Sequence, residues 1–323
     1  MAEVMSSPLS KGILEGNARS IAKGISAVER GGDAALELLG EIYGARQSYI
    51  LGVTGPAGAG KSSLINALIP HLKKHFPKIG ILAVDPSSPF TGGAILGDRI
   101  RMIEHAVDKE VFIRSMASRG HLGGVSAATS DAVKILSAGG FDLIIIETVG
   151  VGQDEIEIVS LSDTVLLIQV PGLGDDIQVM KSGIMEIGDV FVINKSDREG
   201  ADRIARYIQS MLEENYGGRD YIPPVISAQA IHNRGLNEIA DAIAYHKKHI
   251  EKNGELETRR AKRIERDIES ILRIQIEGFI KSRLNFENKL PKWVQKVKDG
   301  EETPYTLAKK LEKTIIPSVR ETE

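Results

Sequence analysis

Short apolar runs alternate with longer amphipathic segments between about residues 49 and 236 of the chain. The runs are rich in β-branched residues and have the length of single strands. Continuous apolar runs separated by helical segments are typical of a parallel sheet covered by helices on both faces. The pattern therefore predicts an α/β fold with a mostly parallel central sheet. The predicted strands are Tyr49–Thr54, Ile79–Val84, Val111–Arg114, Asp142–Glu147, Thr164–Val170, Asp189–Ile193 and Pro224–Ile226.

Helical patterns flank this central region on both sides. Residues 18–43 form two amphipathic stretches separated by Gly31-Gly32, and Asp33 is predicted as the N-cap of the second helix. After about residue 236 the strand pattern stops, and the chain is predicted to end in two short helices around Pro304. We predict an N-terminal helical extension (1–45), a central domain (46–252) and a C-terminal helical region (253–323).

One apolar stripe in the C-terminal region has helical spacing. It consists of Ile264, Ile268, Ile271, Gln275 and Phe279. Such a stripe fits packing within the chain or a seam between two copies of the chain, and the sequence leaves both open.

A glycine-rich motif follows the first predicted strand and precedes a predicted helix, Ser62–Leu72. It fits the pattern G-x-x-x-x-G-K-[S/T], in which backbone N–H groups surround a β-phosphate at the positive end of a helix. Lys61 is predicted to bridge the β- and γ-phosphates, and the Ser62 hydroxyl to hold Mg²⁺. The predicted phosphate-binding residues are Gly55, Pro56, Ala57, Gly58, Ala59, Gly60, Lys61, Ser62 and Ser63.

A second motif, Asn194-Lys195-Ser196-Asp197, follows the strand that ends at Ile193. It fits N-K-x-D, whose aspartate accepts hydrogen bonds from N1–H and the 2-amino group of guanine. Adenine lacks both donors there, so the carboxylate would face an acceptor. We expect Asn194 to tie the motif to the phosphate loop and the Lys195 stem to stack on the base. Together with the similar base-contact loop Ser227-Ala228-Gln229, the motif predicts GTP rather than ATP.

Three carboxylates are predicted near the phosphates. Asp85 and Glu147 end apolar strands, and Asp98 lies beyond Asp85 in the chain. Because the carboxyl ends of parallel strands meet at one crevice, we expect these groups to hold Mg²⁺ or its waters and to orient the attacking water. For each of them a helix cap or a surface ion pair is the alternative. The backbone N–H of Gly150 is expected to contact the γ-phosphate.

The sequence lacks two features of fast GTP hydrolysis. Gln153 is not placed like the water-positioning glutamine of small signalling GTPases, and no arginine finger can be assigned. We therefore expect slow intrinsic hydrolysis that a partner protein accelerates.

Composition narrows the possible functions further. The 323 residues carry a formal net charge of −3, which argues against broad binding to nucleic acid or anionic membranes. Since the chain has no cysteine, disulfides, thiolate metal sites and cysteine nucleophiles are excluded. The apolar runs are too short to cross a bilayer, so a cytoplasmic location is expected.

Together the motifs resemble the methylmalonyl-CoA mutase-associated GTPases, the MeaB/ArgK family of the SIMIBI class of P-loop proteins. The resemblance runs from about Arg19 to at least Glu238. Besides the two nucleotide motifs it is carried by Asp85-Pro86-Ser87-Ser88, Gly97-Asp98-Arg99, Glu147-Thr148-Val149-Gly150 and the segment from Val170 to Gly183.

The resemblance implies a GTPase that binds an adenosylcobalamin-dependent acyl-CoA mutase of the methylmalonyl-CoA mutase type. Hydrolysis of GTP would gate cofactor loading, protection or reactivation of that mutase. The C-terminal helices would contribute to a homodimer. The implied catalytic residues are Lys61, Asp98 and Glu147, the implied metal ligands are Ser62, Asp85, Asp98 and Glu147, and the implied switch residues are Asp175, Asp176, Gln178 and Lys181.

Further features bear on the partner and on other functions. The cobalamin-ligating motif D-x-H-x-x-G is absent from the sequence, so a separate mutase is implied. A nickel-insertion GTPase of the hydrogenase or urease type is an alternative, although such proteins use Cys and His metal sites. A kinase of a small molecule or of a transport system is another, although the sequence indicates no acceptor pocket.

Overall fold

The apolar runs pair as strands of one sheet in a computed structural model, which describes residues 7–86, 108–118, 124–148, 160–172 and 186–315. In chain order the described elements are α1 (Pro8–Leu14), α2 (Ala18–Arg30), α3 (Asp33–Ile42), β1 (Tyr49–Thr54), α4 (Lys61–Leu72), β2 (Ile79–Pro86), β3 (Val111–Ser118), α5 (Gly124–Ala138), β4 (Leu143–Thr148), β5 (Thr164–Gln169), β6 (Val190–Ile193), α6 (Ala201–Tyr216), β7 (Val225–Ser227), α7 (Leu236–Lys252), α8 (Glu255–Leu284), α9 (Phe286–Lys298) and α10 (Pro304–Ile315). The predicted P-loop α/β fold is confirmed.

The sheet has the order β3-β2-β4-β1-β5-β6-β7, and each pair of neighbouring strands is parallel. Every residue of β1, β4, β5 and β6 is buried, as expected for strands covered on both faces. The carboxyl ends of β1, β4 and β5 therefore lie side by side, with β1 between the other two. Loops that leave these ends share one edge of the sheet.

Alternation along the strands divides the core between two faces. On one face, Leu51 and Val53 of β1 pack with buried residues of α4 and α7. On the other face, Ile50 and Ile144 pack with α2, α3 and α5, so the N-terminal helices cover the sheet. Helix α6 packs against β5 and β6, next to the edge strand β7.

The structure corrects several predicted positions. Asp33 is not the N-cap of α3 but its first residue, because Gly32 takes the cap position with φ of 87°. Asp142, Asp189 and Pro224 were predicted as the first residues of strands, and each instead lies immediately before one.

Aspartates before three strands bond to the backbone of the adjacent strand. Asp142 accepts from Lys78 N, Asp163 from Ile50 N and Asp189 from Val165 N, at 2.8 to 2.9 Å. Each carboxylate thus satisfies a donor at the amino edge of the sheet that the strand ladder does not use. An aspartate immediately before a strand therefore fixes neighbouring strands in register three times.

Arginines of α8 bind two of these carboxylates. Arg259 uses all five guanidinium N–H groups: two donate to the Asp189 carboxylate, one to the Asp163 carbonyl and two to Glu255 Oε1. Arg263 donates to Asp163 Oδ1 at 2.7 Å. Beside them, burial lowers the pKa of His246 from its ordinary value, while the Asp189 carboxylate opposes that shift. The amino edge of the sheet is therefore closed by a network of paired arginine and aspartate side chains.

The chain divides into two compact units, Met1–Arg263 and Ile264–Glu323. In the second unit, α9 and α10 line an apolar groove of about 340 Å³ with Leu290, Trp293, Val294 and Leu307 among its walls. Several apolar side chains on its part of α8 are at least half exposed: Ile268, Leu272, Ile276 and Phe279. In the ranges that the structure describes, no helix is both long and apolar enough to cross a membrane.

Removal of the Asp163 carboxylate tests how much the amino edge stabilises the fold. Asp163 is fully buried and accepts from both Ile50 N and Arg263. Asp163→Ala leaves a buried N–H and a guanidinium without their acceptor, so we expect the free energy of unfolding to fall by roughly 3 kcal/mol in urea denaturation.

The control breaks an exposed ion pair on α7. Glu251→Ala removes the partner of Lys247, and the two side chains are 42% and 34% exposed. The expected loss is about 0.5 kcal/mol or less. Equal losses for the two variants would show that the amino-edge contacts add no more stability than a surface pair.

Candidate nucleotide-binding site

The loop between β1 and α4 closes tightly at the start of the helix. Gly58 and Gly60 have φ of 77° and 81°, and Gly60 is the N-cap of α4 in the left-handed conformation. Residues with a Cβ adopt this conformation at a cost, which explains glycine at both positions. The loop leaves the first backbone N–H groups of α4 facing the space above the sheet edge, as phosphate binding requires.

Gly55 is required by the close approach of two strands. Its φ is 145°, and a Cβ placed there would lie 2.2 Å from the backbone oxygen of Ile168 in β5. No side chain can move aside to relieve that contact, because the neighbouring atom belongs to the backbone. The phosphate loop therefore starts in contact with β5.

The Lys61 ammonium lies inside this loop. Its Nζ donates to the carbonyl oxygens of Gly55, at 2.7 Å, and Pro56, at 3.1 Å, and the residue is buried. The positive charge is thus held within the loop that the motif predicts for phosphate.

Ser62 and Glu147 form a buried pair beside the loop. Ser62 Oγ donates to Glu147 Oε1 at 2.5 Å. Glu147 is opposite Val53 in the register of β4 and β1, so strand pairing alone brings it to the start of α4. Hydroxyl and carboxylate oxygens are the ligands that Mg²⁺ prefers, so this pair fits the predicted metal.

Asn194 joins two loops at the carboxyl edge of the sheet. Its Nδ2 donates to the carbonyl oxygen of Ala59 at 2.8 Å, and its Oδ1 accepts from Ala230 N at 3.3 Å. The side chain is 2% exposed, so both bonds are shielded from water. The expected tie between Asn194 and the phosphate loop is confirmed, whereas the bond to Ala230 had no signal in the sequence.

Lys195 provides a second tie to the phosphate loop. It has φ of 55°, and its Nζ donates to the Gly58 carbonyl at 2.8 Å. Asp197, in the same turn, is exposed. Its carboxylate is therefore available to a ligand at this edge.

The loop after β7 is bonded to the loop after β6. Ala228 N donates to the Ile193 carbonyl at 2.8 Å, and the Ala228 carbonyl accepts from Ser196 N at 3.0 Å. Ala228 is fully buried, whereas Ser227 is exposed. These bonds hold Ser227 to Gln229 next to Asp197, as a base-contact loop requires.

Most predicted site residues converge at this edge, in the loops after β1, β6 and β7 and at the end of β4. Asp85 lies in β2, next to β4, and its backbone reaches the same edge. The other predicted residues lie outside the described ranges: Asp98, Gly150, Asp175, Asp176, Gln178 and Lys181.

A family comparison decides which P-loop protein this is. Residues 21–284 match the family model described as methylmalonyl Co-A mutase-associated GTPase MeaB. The chain belongs to this family. It is a GTPase, in agreement with the phosphate and base motifs.

Known proteins similar to this MeaB-family chain carry related names. A Pyrococcus abyssi protein named as a GTPase is 44% identical over 94% of each chain. GTPase ArgK of Escherichia coli is 41% identical over 64% of each chain. The mitochondrial methylmalonic aciduria type A homolog of Mus musculus is 33% identical over 80% of this chain and 63% of its own.

A solved structure shares the fold. The crystal structure of an LAO/AO transport system kinase has a TM-score of 0.68 and 24% sequence identity, and the match covers 98% of this chain and 99% of that one. The MeaB-family sheet and its helices therefore have an experimental counterpart.

A glycine substitution tests the contact between the phosphate loop and β5. Gly55→Ala forces the loop away from Ile168, so we expect GDP affinity to fall by about tenfold or more in calorimetric titration.

Gly58→Ala serves as the matched control for that test. Gly58 also has positive φ, but a Cβ there would meet nothing within 4 Å. Equal affinities of the two variants for GDP would contradict the steric explanation.

Proposed function

We propose that this MeaB-family GTPase uses GTP binding and hydrolysis to gate cofactor loading, protection or reactivation of an adenosylcobalamin-dependent acyl-CoA mutase. The observation that carries the proposal is the family match over residues 21–284, whose description names the mutase. The name of the mouse relative refers to methylmalonic aciduria, which supports a mutase of the methylmalonyl-CoA type as the partner. The match favours this function over nickel insertion.

On the phosphate side of the site, the residues around the start of α4 bind the triphosphate. Backbone N–H groups of the loop from Gly55 to Ser63, apart from Pro56, which has none, bind the β-phosphate. Lys61 turns from the carbonyls of its own loop to the β- and γ-phosphate oxygens. The exchange replaces carbonyl dipoles by full negative charges. Binding of a triphosphate is therefore favoured over an empty loop by electrostatics.

Ser62 and Glu147 prepare the metal position. Because the Ser62 hydroxyl donates its hydrogen bond to Glu147, its oxygen lone pairs remain available to a cation. Mg²⁺, when bound, neutralises charge on the phosphate oxygens. We assign the metal ligands as Ser62, Asp85, Asp98 and Glu147, and the contact to the γ-phosphate to Gly150.

The base side of the site reads guanine. Asp197 accepts from N1–H and the 2-amino group, the Lys195 stem packs on the ring, and Ser227 to Gln229 close the other side. Asn194 keeps this side at a constant distance from the phosphate loop, because it bonds to both. Discrimination against adenine follows from the unpaired polar contact that adenine would leave.

The mutase proposal also assigns surfaces and a location. We assign the nucleotide-dependent contact with the mutase to the switch residues Asp175, Asp176, Gln178 and Lys181. We assign the interface of a homodimer to the region from residue 253 onward. The exposed apolar side chains of the second unit support that interface. GTP hydrolysis by the protein alone is slow, and the partner protein accelerates it. The protein acts in the cytoplasm.

An exchange of the aspartate tests the base assignment. In Asp197→Asn the side-chain amide presents a donor where guanine presents its 2-amino group, so GTP affinity should fall by roughly 100-fold or more. Xanthosine triphosphate carries an oxygen at that position and should bind the variant better than GTP. Titrations with both nucleotides measure the two effects.

The control for the base assignment is Asp202→Asn, which changes an exposed aspartate in the first turn of α6. It should keep the preference of the native protein. If Asp197→Asn kept the GTP preference of the native protein, the assignment of base recognition to Asp197 would be wrong.

A binding experiment tests the mutase assignment. The full-length protein is mixed with methylmalonyl-CoA mutase and separated by size-exclusion chromatography with GDP, with a non-hydrolysable GTP analogue, or without nucleotide. We expect a complex whose amount depends on the nucleotide, and we expect Asp197→Asn to lose the response to GTP analogue but not to the xanthosine analogue. A complex indifferent to nucleotide, or none with any acyl-CoA mutase of this type, would overturn the proposal.

A further inference from the structure

We propose that Gly235, which none of the nucleotide motifs includes, is a positioning residue for guanine recognition. It acts through backbone contact with the base-contact loop, not through the nucleotide. The inference rests on the proposed base assignment to Asp197 and deepens it.

The segment between β7 and α7 folds back on itself. Gln229 and Arg234 exchange backbone hydrogen bonds of 3.1 and 3.2 Å around a short 3₁₀ turn, Ala230–His232. The chain then reaches Gly235, the N-cap of α7, with φ of 77° and ψ of 2°. This return brings Gly235 beside the residues that leave β7.

The contact of Gly235 is with backbone atoms. A Cβ built on it would lie 2.4 Å from the Ser227 carbonyl oxygen and 3.1 Å from Ala228 Cα. A flexible side chain could move away from such a Cβ, but these atoms belong to the main chain. A larger residue at 235 therefore has to displace either the loop or the helix.

The helix is the more firmly held of the two. Leu236, Ile239 and Ile243 of α7 are at most 1% exposed and belong to the core shared with β1 and β5. The loop contributes only two small side chains to that core, Ala228 and Ala230, and is otherwise held by the two backbone bonds of Ala228 and the bond from Ala230 N to Asn194. We conclude that the loop yields, and that it moves toward the residues of the base motif.

Such a displacement affects the base more than the phosphates. Ala228 bonds directly to Ile193, immediately before the base motif, and to Ser196 within it. Lys61 bonds to Gly55 and Pro56, and Ser62 bonds to Glu147, so these bonds lie within the phosphate loop and at the end of β4. Gly235 therefore sets the distance at which the Asp197 carboxylate meets the base edge, while the hydrolytic groups keep their positions.

The test compares Gly235→Ala with Gly218→Ala. Gly218 has φ of 84°, and a Cβ there would meet nothing within 4 Å, so both variants take on the same unfavourable backbone conformation and only one acquires the contact. Binding of GDP, inosine diphosphate and ADP is measured by titration. Inosine lacks the 2-amino group, so the ratio of GDP to inosine diphosphate affinity reports the Asp197 contact.

For Gly235→Ala we expect GDP affinity to fall by about tenfold and the guanine preference over inosine to shrink, since a displaced loop loses the two-donor contact. The kcat of GTP hydrolysis at saturating GTP should stay within about threefold, because binding of ground and transition states is weakened alike. Gly218→Ala should match the native protein in both measurements.

If Gly235→Ala does not fold, a second variant tests the same contact. Ala228→Gly removes a fully buried methyl group from the same contact and loosens it from the other side. It should also lower the preference for guanine over inosine.

Two results would overturn the inference. One is an unchanged guanine preference in the folded variants of this contact. The other is a loss of kcat with the preference intact, which would indicate general damage to the site. If the native protein shows no guanine preference, the assignment to Asp197 fails instead, so the two failures are distinguishable.

Discussion

The side chain of Asn194 connects parts of the site that the chain keeps far apart. It donates to Ala59, 135 residues earlier in the sequence, and accepts from Ala230 in the loop after β7. Because the carboxamide is buried, neither bond competes with water, and the two loops cannot drift independently. A phosphate loop and a base loop must be separated by the fixed length of one nucleotide. This carboxamide fixes the loop of the phosphate motif relative to the loop after β7.

The two edges of the sheet use polar groups in opposite ways. At the amino edge, carboxylates of Asp163 and Asp189 are fully engaged by strand N–H groups and by the guanidinium groups of α8. At the carboxyl edge, the Lys61 ammonium is held by carbonyl oxygens and can exchange them for the oxygens of a ligand. The Asp197 side chain is exposed there and accessible to a ligand. The saturated edge stabilises the strands whose other ends carry the binding groups. A parallel sheet makes this division possible, since all its strands point the same way.

Local signals predicted the strands well and their first residues less well. The run from Tyr49 to Thr54 is apolar throughout, and its predicted bounds are those of β1. Asp142 and Asp189 were included in strands because each adjoins an apolar run, but their carboxylates bond to the neighbouring strand and so precede the ladder. Asp33 carries a typical capping side chain, yet Gly32 takes the cap position because its φ of 87° suits glycine. Such choices depend on neighbouring backbone that a local pattern does not contain.

The sequence by itself determined the α/β architecture, the phosphate motif, the base motif and the place of Glu147 at a strand end. These follow from hydrophobic spacing and from residue types at fixed short distances, which are properties of a contiguous segment. Only the tertiary structure decided that Gly55 lies against Ile168, that Ala230 bonds to Asn194, and that Gly235 lies against the backbone at Ser227. The Gly55 and Ala230 contacts join separate strands and loops, and the Gly235 contact depends on how one loop closes on itself. All three depend on where folded segments of the chain come to lie, which the residue types of a motif do not encode.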